Sequence, residues 1–72
     1  MEIFTQRLKE LRLKKGLSIL GLAKAININQ KTLSRWESEK SLPRASDFRI
    51  LVKFFGVSAD YLLGSTNDYD KQ

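Results

Sequence analysis

The chain has 72 residues, with 13 Lys and Arg against 8 Asp and Glu, and neither cysteine nor histidine. Such a length makes one domain, which buries only about 60% of the surface its unfolded form exposes. With no thiol and no imidazole there is no disulfide, no thiolate site and no Ser-His or Cys-His pair, which argues against an enzyme.

The net charge of +5 is unevenly placed. Residues 1–16 carry five basic and two acidic groups, residues 17–44 five and two, and residues 45–72 three and four. A polyanion partner is therefore expected on one side of the molecule, although the same excess also serves solubility. The acidic residues are scattered, with no loop spaced to wrap calcium, so neither metal nor cofactor is expected. No apolar run approaches the roughly 20 residues that span a bilayer. No apolar block follows Met1 as a signal peptide would require. A cytoplasmic protein with no membrane partner is expected.

At about 100° per residue, apolar stripes divide the chain into helices. Phe4, Leu8 and Leu11 share one face of a first helix over 3–15, which Gly16 ends. Ser18 caps a second helix over 19–26, with Leu22, Ala23 and Ile26 inward. Asn27 makes a tight turn, and Asn29 caps a third helix over 30–38, with Leu33 and Trp36 inward. The irregular stretch "SEKSLPR" follows. Ser46 is expected to cap a fourth helix over 46–55, whose inner face carries Phe48, Leu51, Val52 and Phe55. Gly56 stops it. Ser58 caps a fifth helix over 59–63, with Asp60 matching its dipole and Gly64 closing it. The tail "STNDYDKQ" is polar and is expected to fray or to begin a linker. The predicted fold is all-α, a compact five-helix bundle over 1–64. The short turn between the second and third helices makes them cross steeply, as in a helix-turn-helix.

The strings "RLKELRLKKGLS", "LAKAININQKTLSRWE", "LP" and "FFGVSADYLLG" occur in order and without large gaps over residues 3–64. In that order they resemble the Cro and phage-repressor, or Xre-like, helix-turn-helix domain, a lambda-repressor-like fold. The resemblance implies sequence-specific binding to double-stranded DNA, with the second motif helix, residues 30–38, in the major groove. It implies a transcriptional regulator, a repressor of bacterial or phage type in the first instance, acting as a homodimer on a palindromic operator. The base-reading positions of the family fall on Gln30, Lys31, Ser34 and Arg35. Glutamine pairs bidentately with adenine, and arginine or lysine with guanine; Lys31 is open to either a base or a phosphate. Phosphate contacts are expected from Ser18 and the start of the second helix, from Asn29 and Thr32, and from Ser38, Lys40 and Arg44. Arg12 and Glu37 sit at the rims of their apolar stripes, positions that the family often pairs. A partly buried ion pair is expected there, bracing the reading helix, with Arg12 also placed to touch a phosphate.

The chain departs from the family pattern in several places. Ile19 stands where glutamine usually helps hold a phosphate, Leu20 and Gly21 stand at polar positions, and Glu39 replaces a common glycine. Leu13 and Leu20 lie off the core stripes and could dock a protein regulator such as an antirepressor. Ile50 and Phe54 lie off the stripe of the fourth helix, and with Tyr61 and Leu62 they are expected to form the dimer interface. The alternative function is a protein-interaction module, or an antitoxin-type regulator whose main partner is a protein.

Overall fold

The computed structural model describes residues 2–67. Five helices follow in chain order: α1 (Glu2–Lys14), α2 (Ile19–Ile26), α3 (Gln30–Glu37), α4 (Ala45–Phe55) and α5 (Ala59–Leu63). No strand occurs among the described residues. The predicted all-α bundle is thus the observed one, with boundaries that move by one residue in α1, α3 and α4.

Three of the expected serine and asparagine caps are made. Ser18 Oγ accepts from Gly21 N at 2.9 Å, Asn29 Oδ1 from Lys31 N at 2.8 Å, and Ser58 Oγ from Tyr61 N at 2.9 Å. The Ser46 cap is not. Phe48 N donates to Arg44 O at 2.8 Å, which starts the helix one residue early and makes Arg44 the N-cap, without a side-chain bond. Ala45, the strongest helix former, takes the first helical position, and Ser46 is carried into the first turn.

All five helices end in the same way. A residue with left-handed backbone follows each one: Gly16, Asn27, Glu39, Gly56 and Gly64. The next amide then reaches back five residues, from Leu17 to Arg12 O, Ile28 to Ala23 O, Lys40 to Arg35 O, Val57 to Val52 O and Ser65 to Asp60 O. This bond satisfies a carbonyl that the helix itself leaves open. Glu39, with φ of 64°, keeps the geometry of the missing glycine despite its side chain.

The inward stripes meet in one core. Phe4, Leu8, Leu22, Leu33, Trp36, Leu51 and Leu62 are at most 2% exposed. Val57, between α4 and α5, joins them, and Phe48, Val52 and Phe55 pack at the edge. Ala23 is buried where α2 meets α3, the contact that a larger side chain would push apart. α1 lies between α3 and α5 and touches both. Tyr61 and Leu62, expected at a dimer interface, are buried in this core instead. The reason is the length of α5: its five residues have one inward face, and α1 and α4 cover it.

Past α5 the chain is held rather than loose as far as Asn67. Arg7 of α1 donates through Nη1 to Tyr61 O and Thr66 O, both at 2.6 Å, and through Nη2 to Asn67 Oδ1 at 2.7 Å. Its guanidinium also lies 4.2 Å from the centre of the Tyr61 ring. Of the tail expected to fray from residue 65, Ser65–Asn67 carry these hydrogen bonds. The rest of that tail lies outside the described residues. No helix among them is long and apolar enough to cross a membrane.

Candidate nucleic-acid interface

The turn between α2 and α3 decides which face of α3 is free. Asn27 takes φ 59° and ψ 45°, a left-handed conformation that asparagine tolerates. The chain then has room only for Ile28 before the Asn29 cap. Leu33 and Trp36, three residues apart on α3, turn inward at 0% and 2% exposure. What remains is polar. Gln30, Lys31, Ser34 and Arg35 are all exposed, and with Ser38 and Lys40 they line one open depression of the surface. Three of the six are cations and none is acidic. The structure thus brings the four expected base-readers together with two of the expected phosphate ligands.

The other expected phosphate ligands lie outside this depression. Ser18 uses its oxygen to accept from Gly21 N, which leaves the hydroxyl proton for another acceptor. Asn29 likewise accepts at Oδ1 and retains its amide donors. Thr32 is half-buried, and Arg44 is exposed at the start of α4. Ser38 is less favourable than its sequence suggested. Its hydroxyl donates back to Ser34 O at 2.9 Å, so in this conformation its proton serves the helix.

Arg12 and Glu37 are joined. Arg12 Nε is 2.6 Å from Glu37 Oε2 and Nη2 is 3.0 Å from Oε1, a two-pronged pair with side chains 9% and 7% exposed. Nη1 donates to Leu17 O at 2.8 Å, just before the α2 cap. One buried guanidinium therefore ties α1 both to the entry of α2 and to the end of α3. Three of its five N–H groups are engaged and the residue is 7% exposed, which leaves little of Arg12 to meet a phosphate.

Two residues with long-range hydrogen bonds escaped the sequence reading, one supporting α3 and one the segment after α5. Thr5 is buried, and its Oγ1 donates to Trp36 O at 3.1 Å. Arg7 holds the segment after α5. Thr5 precedes Arg12 by seven residues, two helical turns, and so shares its face.

The departures also find their places. Ile19 is half-buried against the core, which explains an apolar residue where a phosphate-holding glutamine is usual. Leu13 and Leu20 are 58% and 44% exposed. Phe54 packs against the core edge, meets Phe55 edge-on with ring centres 5.1 Å apart, and carries Lys15 Nζ 5.2 Å from its ring centre. Ile50, 39% exposed, lines a surface depression with Ser46, Arg49 and Lys53. The four expected interface residues do not share one exposed surface. Two members are core, one is at the core edge, and one is flanked by cations. No group of three or more acidic residues among the described ones comes together as a metal site requires.

Comparison with known proteins agrees with this geometry. Residues 8–62 match the helix-turn-helix family model. The chain is 35% identical over 68 residues to the uncharacterized HTH-type transcriptional regulator YobD of Bacillus subtilis (strain 168), covering 94% of this chain and 61% of that protein. It is 35% identical over 60 residues to the HTH-type transcriptional activator BcrR of Enterococcus faecalis, covering 83% of this chain and 29% of that one. Against the 26 kDa repressor protein of Escherichia phage HK022 it is 34% identical over 71 residues, covering 93% and 30%. The chain spans less than two thirds of the length of each. No solved structure matches it significantly.

Proposed function

Because the chain belongs to the Cro/C1-type helix-turn-helix family of transcriptional regulators, we propose that it binds duplex DNA sequence-specifically, with α3 in the major groove, and acts as a repressor. The observation that carries this is the polar face of α3. Gln30, Lys31, Ser34 and Arg35 stand exposed together, with Lys40 beside them, on a helix whose other side is anchored by Leu33 and Trp36. Gln30 and Arg35 are the base-readers, toward adenine and guanine respectively. Lys40 and Arg44 hold phosphates, helped by the α2 amino end with Ser18 and by Asn29. Occupying a promoter excludes polymerase, so repression needs no chemistry beyond binding.

A two-fold dimer would set two α3 helices about 34 Å apart on a palindromic operator. We place the self-contact on Leu42, Pro43 and Leu63, above Phe4 and Phe48. These residues line an apolar depression with no charged member, and Leu42 and Leu63 are 57% and 44% exposed. In a symmetric contact a group on the two-fold axis meets its own copy, and an uncharged patch brings no like-charge repulsion there. The Ile50 surface, between Arg49 and Lys53, would carry that repulsion if it were centred on the axis.

Selection of duplexes from a random pool tests the reading. A preferred sequence is expected, with affinity falling steeply as salt rises. Arg35→Ala should change the preferred sequence. Lys40→Ala should weaken all duplexes alike and lower the salt slope by about one unit. Binding without sequence preference would overturn the proposal. No duplex binding at all would turn attention to a protein partner, for which Leu13 and Leu20 are the exposed apolar surface.

A further inference from the structure

We infer that the buried Thr5 hydroxyl is a positioning group for α3, which fixes the roll of that helix with Arg12 and so sets sequence discrimination rather than overall DNA affinity. The inference rests on the DNA-reading role of α3. That helix has only eight residues, below the roughly 12–15 at which an isolated helix becomes even marginally stable. Its conformation and its angle are therefore set by its neighbours. The Leu33 and Trp36 anchors hold it down, but apolar contact is non-directional and leaves rotation about the helix axis weakly defined. Hydrogen bonds are directional. α1 supplies two sets of them to the last turn of α3: Thr5 Oγ1 to Trp36 O at 3.1 Å, and the Arg12 fork to Glu37 at 2.6 and 3.0 Å.

Thr5 and Arg12 lie on one face of α1, their backbones two turns or about 10 Å apart along its axis. Their acceptors are consecutive in α3, one on the backbone and one on a side chain. Two bonds from different turns of one rigid helix resist rotation in a way that one does not. The side-chain pair alone leaves slack, because the Glu37 carboxylate can follow its partner. The Thr5 bond grips the backbone itself. Trp36 O also lies in the last turn of α3, where no full helical partner follows; besides Thr5 it meets only cap amides, those of Ser38 and, at 3.4 Å, Glu39. Bidentate base contacts from Gln30 and Arg35 tolerate misalignment of only about 10–20°. Phosphate contacts from flexible lysines are more forgiving.

Thr5→Val keeps shape and burial and removes the bond, whereas Thr5→Ser keeps the hydroxyl. Wild-type protein selects duplexes from a random pool. Affinities for the selected duplex and for a scrambled one are then measured across a salt series for all three proteins. The expected result is a loss of about five- to tenfold in the selected-to-scrambled ratio for Thr5→Val. Scrambled affinity and salt slope should be unchanged, and Thr5→Ser should restore most of the ratio. An unchanged ratio overturns the inference, as does equal weakening on both duplexes with a lower melting temperature. Amide exchange supplies a reading that needs no DNA. The Ser38, Glu39 and Lys40 amides should exchange severalfold faster in Thr5→Val while that of Leu62 does not; uniform acceleration, or none, overturns the inference. If wild type selects no sequence, the DNA reading fails on its own, and the exchange result decides whether Thr5 fixes α3.

Discussion

Glu39 is the residue at which this chain departs most plainly from what its backbone wants. A left-handed conformation costs a residue with a Cβ about 1–2 kcal/mol, and four of the five helix ends avoid this with glycine or asparagine. Glu39→Gly should therefore raise the melting temperature by about 5 °C, in a scan of a domain this small. Glu39→Gln removes only the charge; it should leave the melting temperature nearly unchanged while tightening duplex binding, because the carboxylate next to Lys40 opposes a phosphate. The Arg12–Glu37 pair shows the opposite situation, a residue whose partner it cannot lose. Glu37→Ala strands a buried guanidinium and should cost about 3–5 kcal/mol in urea denaturation. An apolar replacement of both partners should cost much less, since no charge is then left unpaired. If both variants lost the same amount, the pair would not be the source.

Elements were legible in the sequence wherever a periodic stripe and a cap agreed. The stripes of α1 to α4 point to the core found, because one face of each helix must leave water and the period of 3.6 records which. α5 was too short for that. Within five residues, Tyr61 and Leu62 look the same whether they face a partner or the chain's own α1 and α4. The cap of α4 was misplaced because Ser46 and Arg44 differ in capping propensity, while the first backbone bond, Phe48 N to Arg44 O, decides the start. Thr5 and Arg7 were missed for another reason: their partners lie 31 and 54–60 residues away, and no local pattern records such a bond. Arg7 makes the segment after α5 part of the folded element. Its fork reaches two carbonyls and an amide while its guanidinium lies over the Tyr61 ring, which a lysine cannot reproduce. Arg7→Lys should thus cost nearly as much as Arg7→Ala, about 1–3 kcal/mol. Both should speed amide exchange at Ser65, whose N–H closes α5 on Asp60 O at 2.8 Å. Full stability in Arg7→Lys would show that charge alone suffices.

At the scale of the whole molecule, extents of 28 × 22 × 21 Å leave room for one reading helix and little more. A single α3 contacts few base pairs, and each mismatch costs about 1–3 kcal/mol, so high specificity calls for two copies on one duplex. The surface that joins them should be apolar enough to leave water and, close to the two-fold axis, free of like charge. Leu42, Pro43 and Leu63 meet both conditions. Ile50 meets only the first, because Arg49 and Lys53 flank it. The choice between the two surfaces is open to a paired substitution. Leu63→Asp puts a carboxylate on the uncharged patch at a position already 44% exposed, and so spares the core. Ile50→Asp does the same on α4 at 39% exposure and gains two neighbouring cations. Phe54→Asp is unsuitable, since Phe54 packs against the core edge and would report on folding. Sedimentation at rising concentration, free and on a selected palindrome, should show Leu63→Asp shifted to monomer and to half-site binding. Its affinity for one half-site should be unchanged, because α3 is untouched. Ile50→Asp should assemble like the wild type. The reverse result would move the interface to α4, and equal assembly in both variants would remove self-association from either surface.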